Sequence, residues 1–194
     1  MSQEIEIEYK NIVSQADFNF LCKKFSIEQT AFKMQENHYF DTNEFLLKEH
    51  GSALRIREKN GNYTLTLKQP NEIGLLETHQ ILLEEEAKQA LQDGLLPFGT
   101  VANQLDKSFQ IDITKCRYLG SLMTKRAEIS YLDGILVFDH SFYFEVEDFE
   151  IEYEVKDEKK GKQIFENLFL NYKIPIKQTD NKIKRFFLKK LEQG

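Results

Sequence analysis

The stretch Glu4-Ile5-Glu6-Ile7-Glu8-Tyr9-Lys10 decides the fold. Polar and apolar residues alternate along it without a break. Successive side chains of a β-strand point to opposite faces. Glu4, Glu6, Glu8 and Lys10 therefore share one face, and Ile5, Ile7 and Tyr9 the other. Three carboxylates at two-residue spacing repel one another. Such a face is either solvated or built to hold a cation.

The same period recurs along the chain. In 53–59, Arg55, Arg57 and Lys59 oppose Leu54 and Ile56. In 63–68, Thr64, Thr66 and Lys68 oppose Tyr63, Leu65 and Leu67. Asn60-Gly61-Asn62 joins these two strands as a hairpin, with Gly supplying the positive φ of a tight turn. Leu132-Asp133-Gly134 signals a second hairpin, between strands at 123–131 and 135–140. Arg126, Glu128 and Ser130 share a face of the first of these, and Asp139 shares one with Ile135 and Val137 of the second. In 145–156, Glu150, Glu152 and Glu154 oppose Ile151, Tyr153 and Val155.

Further extended segments are expected at 32–41 and 75–82, and helices at 14–25, 83–91, 159–171 and 181–191. Residues 95–118 read as helix and loop with an extended piece at 109–113. About eight strands, mostly joined by hairpins, predict an α+β fold: an eight-stranded antiparallel β-barrel with helices packed outside.

The 194 residues are 41% hydrophobic and 30% charged, which suits a globule, and 16 Phe and 8 Tyr supply its core. Three prolines and no Gly/Ser-rich linker suggest one domain over 1–194. The net charge of -6 argues against DNA as a partner. No apolar run reaches the ~18–20 residues of a membrane span. The N-terminus carries carboxylates where a signal peptide would be basic and then apolar. Cys22 and Cys116 have no metal or redox spacing and read as free thiols of a reducing compartment. A cytoplasmic location and no membrane partner are expected.

Two acidic strands and a basic one carry charge largely of one sign each. Period alone leaves open which face is enclosed. If the polar faces turn inward, at least six carboxylates and several cations are enclosed together, which is costly unless a ligand pairs them. A divalent metal on a polyphosphate carries both charges. Carboxylates hold hard metals, and Arg and Lys hold phosphate oxygens.

The ordered set of motifs resembles the CYTH domain, the triphosphate tunnel metalloenzymes. Glu6-Ile7-Glu8-Tyr9-Lys10 is similar to the family's Glu-x-Glu-x-Lys, Tyr39-Phe40-Asp41-Thr42 to its aromatic-aromatic-Asp-Thr, and Leu54-Arg55-Ile56-Arg57 to its Leu-Arg-x-Arg. Thr66-Leu67-Lys68 is similar to its Thr-x-Lys strand. Thr124-Lys125-Arg126, Glu150-Ile151-Glu152-Tyr153-Glu154 and 181–185 resemble later basic and acidic segments.

The resemblance implies a triphosphate tunnel and metal-dependent hydrolysis of tripolyphosphate, thiamine triphosphate or a nucleoside triphosphate. Class IV-type adenylate cyclisation of ATP and a non-catalytic nucleotide or polyphosphate sensor are the alternatives. Mg2+ or Mn2+ is implied on Glu6, Glu8, Asp139, Glu150, Glu152 and Glu154. Lys10, Arg55, Arg57, Lys68, Arg126, Lys182 and Lys184 would bind phosphates, with Arg185 a competitor at the C-terminus. Glu6, Glu8, Lys10, Arg55 and Arg57 would be catalytic. Glu77 matches a further acidic position. A small-molecule triphosphate is the expected partner; the oligomeric state, monomer or homodimer, stays open.

Other charged residues read as structural. Glu4 is an outer or mouth residue, Lys125 points away if Arg126 points in, and Glu84 to Glu86 are a solvated helix face. The four His show no zinc-type spacing. The chain has no Gly-rich phosphate loop, so side chains must hold any phosphate.

Overall fold

A computed structural model describes residues 2–193. Its strands are β1 (Gln3–Val13), β2 (Lys33–Asp41), β3 (Ala53–Lys59), β4 (Asn62–Pro70), β5 (Leu75–Leu82), β6 (Arg117–Tyr131), β7 (Gly134–Tyr143) and β8 (Val146–Val155). The helices are α1 (Gln15–Lys24), α2 (Leu46–Glu49), α3 (Glu84–Asp93), α4 (Thr100–Phe109), α5 (Glu158–Asn171) and α6 (Lys182–Gln193). The hydrogen-bonded order β1-β5-β4-β3-β2-β6-β7-β8 closes on itself, giving the expected eight-stranded antiparallel barrel with helices packed around it. The chain divides into two compact units, Met1–Ile5 with Gln35–Leu122, and Glu6–Met34 with Met123–Gly194. Strands β1, β2 and β6 run through both.

The first unit packs one face of β3 and β4 under α3 and α4. Leu54, Ile56, Leu65 and Leu67 are fully buried against Ala87, Ala90, Val101 and Leu105. Each buried Leu or Ile contributes about 1.5–3 kcal/mol, so this row fixes which face looks at the helices. Arg55, Arg57, Thr66 and Lys68 are left on the other. The β3–β4 turn is the expected tight one. Lys59 pairs with Asn62, and Asn60 and Gly61 take φ of 55° and 74°.

The second unit repeats the plan with aromatic residues. Phe18 and Leu21 of α1 and Phe165, Leu168 and Phe169 of α5 pack on Phe138, Ile151 and Tyr153. Ser14 caps α1 by accepting from the Asp17 N–H, and Asp157 caps α5 by accepting from the Lys160 N–H. In the second hairpin the positive φ falls on Leu132, at 50°. Gly134 serves a close approach instead: a Cβ there would lie 2.5 Å from the Glu154 carbonyl oxygen.

The extended piece expected at 109–113 is not formed. Phe109 ends α4, Gln110 turns left-handed at φ 54°, and Ile113–Lys115 is a 3-10 turn capped by Asp112. The alternation of Phe109, Ile111 and Ile113 imitates a strand, but these side chains pin a loop to the core of the first unit. Strand β6 also starts earlier than expected, at Arg117 rather than Met123.

Candidate functional site

Register assembles the acidic positions of the second unit. Asp139 on β7 lies opposite both Glu150 on β8 and Arg126 on β6, and Glu152 lies opposite Lys10 on β1. Asp139, Glu150 and Glu152 are 0%, 0% and 3% exposed. One oxygen from each lies within 4.8 Å of the others. They sit on the face opposite the helices because Phe138, Ile151 and Tyr153 of the same strands take the apolar side.

Cations close this group. Arg126 donates from Nε to Asp139 at 2.7 Å and from Nη2 to Glu152 at 2.6 Å. Lys182, the first residue of α6, lies 2.8 Å from Asp139 and donates to both Glu150 and Glu152. Arg185, almost one turn further on, reaches Glu150 at 2.6 Å and Asp148 at 2.9 Å. The Tyr143 hydroxyl donates to the same Asp148. Glu154 stands 3.6 Å from Arg126, and Lys10 donates to Glu8. Glu6 shares the polar face of β1, and its charge is felt at Glu154.

Burial and charge then compete. Burial acts to raise Glu152, but the Lys182 and Arg126 charges outweigh it and hold the carboxyl well below its usual range. Asp139 is lowered likewise, against its burial, by Arg126 and Lys182. For Glu150 burial prevails despite Lys182, and the carboxyl rises to about 7. Glu154 also rises to about 7, through burial and despite Arg126. Burial works against the charge of Lys182, yet its three carboxylates raise it well above the usual ammonium range. Burial, rather than an excess of negative charge, is the largest cause of the raised values of Glu150 and Glu154.

In the first unit, pairing aligns a cationic face. Tyr39, Arg55, Thr66 and His79 lie opposite one another in successive strands, as do Asn37, Arg57 and Thr64. Arg57 donates from Nε to Asn37 at 2.8 Å. The buried Nε of Arg55 has no hydrogen-bond partner among the described residues. Lys68 pairs with Glu77, and His79 lies 3.3 Å from Glu77 and 3.1 Å from Glu4 through Nε2. The Nδ1 of His79 lies 3.0 Å from the Thr66 hydroxyl. Asp41 of the aromatic-aromatic-Asp-Thr motif has a local task. It is buried and accepts from the N–H groups of Thr42, Leu47 and Lys48 at 2.7–3.0 Å.

Within each unit, therefore, most of the predicted residues come together: Lys10, Arg126, Asp139, Glu150, Glu152, Glu154 and Lys182 in one, Arg55, Arg57, Lys68 and Glu77 in the other. Lys184 does not join them. Its side chain is 56% exposed and pairs with Asp180. Arg185 takes the inward position, because it is three residues from Lys182 and so on the same helix face. Sequence reasoning passed over Asp148, His79 and a second histidine group, Glu36, His38 and Glu58. The i, i+2 spacing of Glu36 and His38 was the available signal.

Three buried carboxylates offer oxygen donors only, the set that hard divalent ions prefer. The Lys182 ammonium resting on all three shows directly that these oxygens accept a positive charge.

A CYTH domain family model matches residues 4–187. A protein of Bacillus subtilis (strain 168) named "Putative triphosphatase YjbK" is 47% identical over 190 residues, 98% of each chain. A crystal structure from Bacillus halodurans, described as a "putative adenylate cyclase", superposes with a TM-score of 0.92 at 46% identity, over 96% of this chain and 100% of that one. "Putative adenylyl cyclase HpAC1" from Hippeastrum, described as having a dominant triphosphatase activity, shares the fold, with a TM-score of 0.78 at 23% identity over 94% and 95% of the two chains. The chain belongs to the CYTH domain family.

Proposed function

We propose that this protein is a metal-dependent triphosphatase, which hydrolyses the terminal phosphoanhydride of a small-molecule triphosphate. The observation that carries the reading is the buried group of Asp139, Glu150 and Glu152 with its ring of cations. Its partner observation is the cationic face of the first unit, where the Arg55 Nε has a donor to spare. The names of the Bacillus subtilis and Hippeastrum proteins point the same way.

Asp139, Glu150 and Glu152 would hold Mg2+ or Mn2+, with Glu6, Glu8 and Glu154 adding negative charge on the same set of strand faces. When bound, the ion supplies charge neutralisation and a polarised water. The rest falls to the chain. Arg55, Arg57 and Lys68 bind phosphate oxygens, the guanidinium groups by two-pronged hydrogen bonds. Arg126 and Lys10 are tied to carboxylates through part of their donor sets, and their other N–H groups would stabilise the charge that develops on the transferring group, while Lys182, whose ammonium rests on the three carboxylates, would give way to the ion there. The water oxygen would form a bond to the terminal phosphorus and lose a proton to solvent, and the bridging P–O bond would break with its electron pair left on the departing oxygen. Orthophosphate and the shortened phosphate chain leave. Strict positioning of donors is what phosphoryl transfer chiefly demands.

Phosphate release from tripolyphosphate, thiamine triphosphate and ATP, with Mg2+, Mn2+ or EDTA, tests the reading. Release that EDTA abolishes supports it and names the leaving group. The name of the Bacillus halodurans structure favours a second reading, cyclisation of ATP. Cyclic AMP with pyrophosphate, in place of ADP with orthophosphate, would establish that one. Binding without turnover would leave a sensor.

A further inference from the structure

The second histidine group lies on the helix-side face of β2 and β3, apart from every residue assigned above. Glu36 on β2 lies directly opposite Glu58 on β3. Like charges placed so repel each other, and His38 shares their face, two residues along β2. His38 is 8% exposed. Its Nδ1 lies 3.3 Å from the Tyr118 hydroxyl, while its Nε2 is buried and has no hydrogen-bond partner among the described residues. The Glu36 carboxylate oxygen at 3.9 Å is too far for such a bond. One ligand atom from each of Glu36, His38 and Glu58 lies within 4.8 Å of the others.

We infer that Glu36, His38 and Glu58 form a binding site for a zinc-class divalent transition ion that ties β2 to β3. Three features fit that ion better than a proton or Mg2+. The donor set is one imidazole nitrogen and two carboxylates, which suits zinc and its neighbours, whereas Mg2+ selects oxygen alone. A metal-bound imidazole regularly donates its other N–H to a fixed partner. Assigning the proton to Nδ1, facing Tyr118, provides this and leaves the Nε2 lone pair toward the carboxylates. Bonds of about 2.0–2.1 Å at tetrahedral angles place ligand atoms roughly 3.3–3.5 Å apart, so the 3.9 Å between Nε2 and Glu36 closes with a small rotation. The Glu36 side chain, 35% exposed, gives the ion a path from solvent, and water completes the fourth position.

The test is a calorimetric Zn2+ titration of the metal-stripped full chain in a large excess of Mg2+, which occupies the all-oxygen sites. Co2+ serves in parallel as an optical reporter of imidazole coordination. Wild type is expected to take up one equivalent of Zn2+. His38→Gln should abolish that uptake, and Glu36→Gln and Glu58→Gln should weaken it at least tenfold. Glu36 and Glu58 are only partly buried, so these two variants decide the matter should His38→Gln not fold. Asp139→Asn and His79→Gln should bind as wild type does. The inference is overturned if wild type takes up no Zn2+ under these conditions, or if both Glu variants bind unchanged. It is equally overturned if His79→Gln removes the ion, which then belongs to Glu4, Glu77 and His79.

Discussion

The two units use one strand plan and opposite electrostatics. In the second, Asp139, Glu150 and Glu152 are met by Arg126, Lys182 and Arg185, so that nearly every buried charge has a partner on its own unit. In the first, Arg55 stands opposite neutral Tyr39 and Thr66 and Arg57 opposite Asn37 and Thr64, while Lys68 pairs with buried Glu77 and a second buried acid, Asp41, is taken up by backbone N–H groups. Buried ion pairs that are complete contribute modestly, but removing one member leaves a charge uncompensated. Cations held beside neutral hydrogen-bonding groups are instead suited to a ligand. The second unit should therefore respond to charge deletion mainly in stability as well as activity, and the first mainly in activity.

Arg126→Ala is the sharpest way to break this contrast, and the largest effect expected. It strips the fork from Asp139 and Glu152, and should cost about 3–5 kcal/mol of stability, read by denaturant unfolding followed by both near- and far-ultraviolet dichroism. A loss below about 1 kcal/mol would mean that water already compensates these acids, and the contrast would collapse. Arg55→Ala should do the reverse. Its kcat/KM for the preferred triphosphate should fall on the order of 10²–10³-fold, as when one charge-stabilising donor is lost, with stability within about 1 kcal/mol of wild type. Comparable unfolding of both variants would show that Arg55 is structural.

Asp41→Ala comes next. Three backbone N–H groups, of Thr42 before α2 and of Leu47 and Lys48 within it, lose their acceptor together, and orphaned buried donors cost about 1–3 kcal/mol each before water relieves some of them. A net loss of roughly 2–4 kcal/mol is expected, read as a lower unfolding midpoint. Asp41→Asn, which keeps one acceptor oxygen, should recover part of it. Equal losses in both variants would mean that the carboxylate charge, rather than the acceptor geometry, holds the loop.

Asp41 also marks where the sequence ceases to be legible. The two-residue period identifies the polar face of every charged strand, because a one-residue slip would expose the whole apolar set to water. That is why Arg55 and Arg57, and likewise Glu150 and Glu152, could be put on shared faces from the period, while their turning inward was implied only by the family resemblance. Period says nothing about pairing partners. That Asp139 faces Arg126, or Thr66 faces His79, follows from register, which the hairpin turns fix one strand at a time. Helical segments fared worse at their ends. The phase of α6 decides between Lys184 and Arg185, and a helix whose start is uncertain by one residue rotates its side chains by about 100°. Residues 109–113 misled because an alternating loop pinned to a core reads like a strand.

The helix starts offer the smallest effect, and it discriminates between the units. In the second unit, α1 and α5 begin with side-chain caps from Ser14 and Asp157. In the first, α4 borrows the Gln80 side chain, which accepts from the Val101 N–H at 3.3 Å. Helix α3 has half a cap. The Glu86 carboxylate accepts from the Leu83 N–H at 2.8 Å, but Leu83, in extended geometry at φ -68° and ψ 153°, has no oxygen to return to the first turn. Leu83 is 70% exposed, so little packing is lost with its side chain. Leu83→Ser would complete the reciprocal pair of bonds, since a serine three residues before a glutamate satisfies two orphan donors at once. A gain of about 0.5–1 kcal/mol is expected, seen as a higher thermal midpoint with slower hydrogen exchange confined to α3. If exchange in α3 is unchanged, that helix is held by Ala87 and Ala90 in the core rather than by its first turn, and packing sets the stability of the first unit as charge does that of the second.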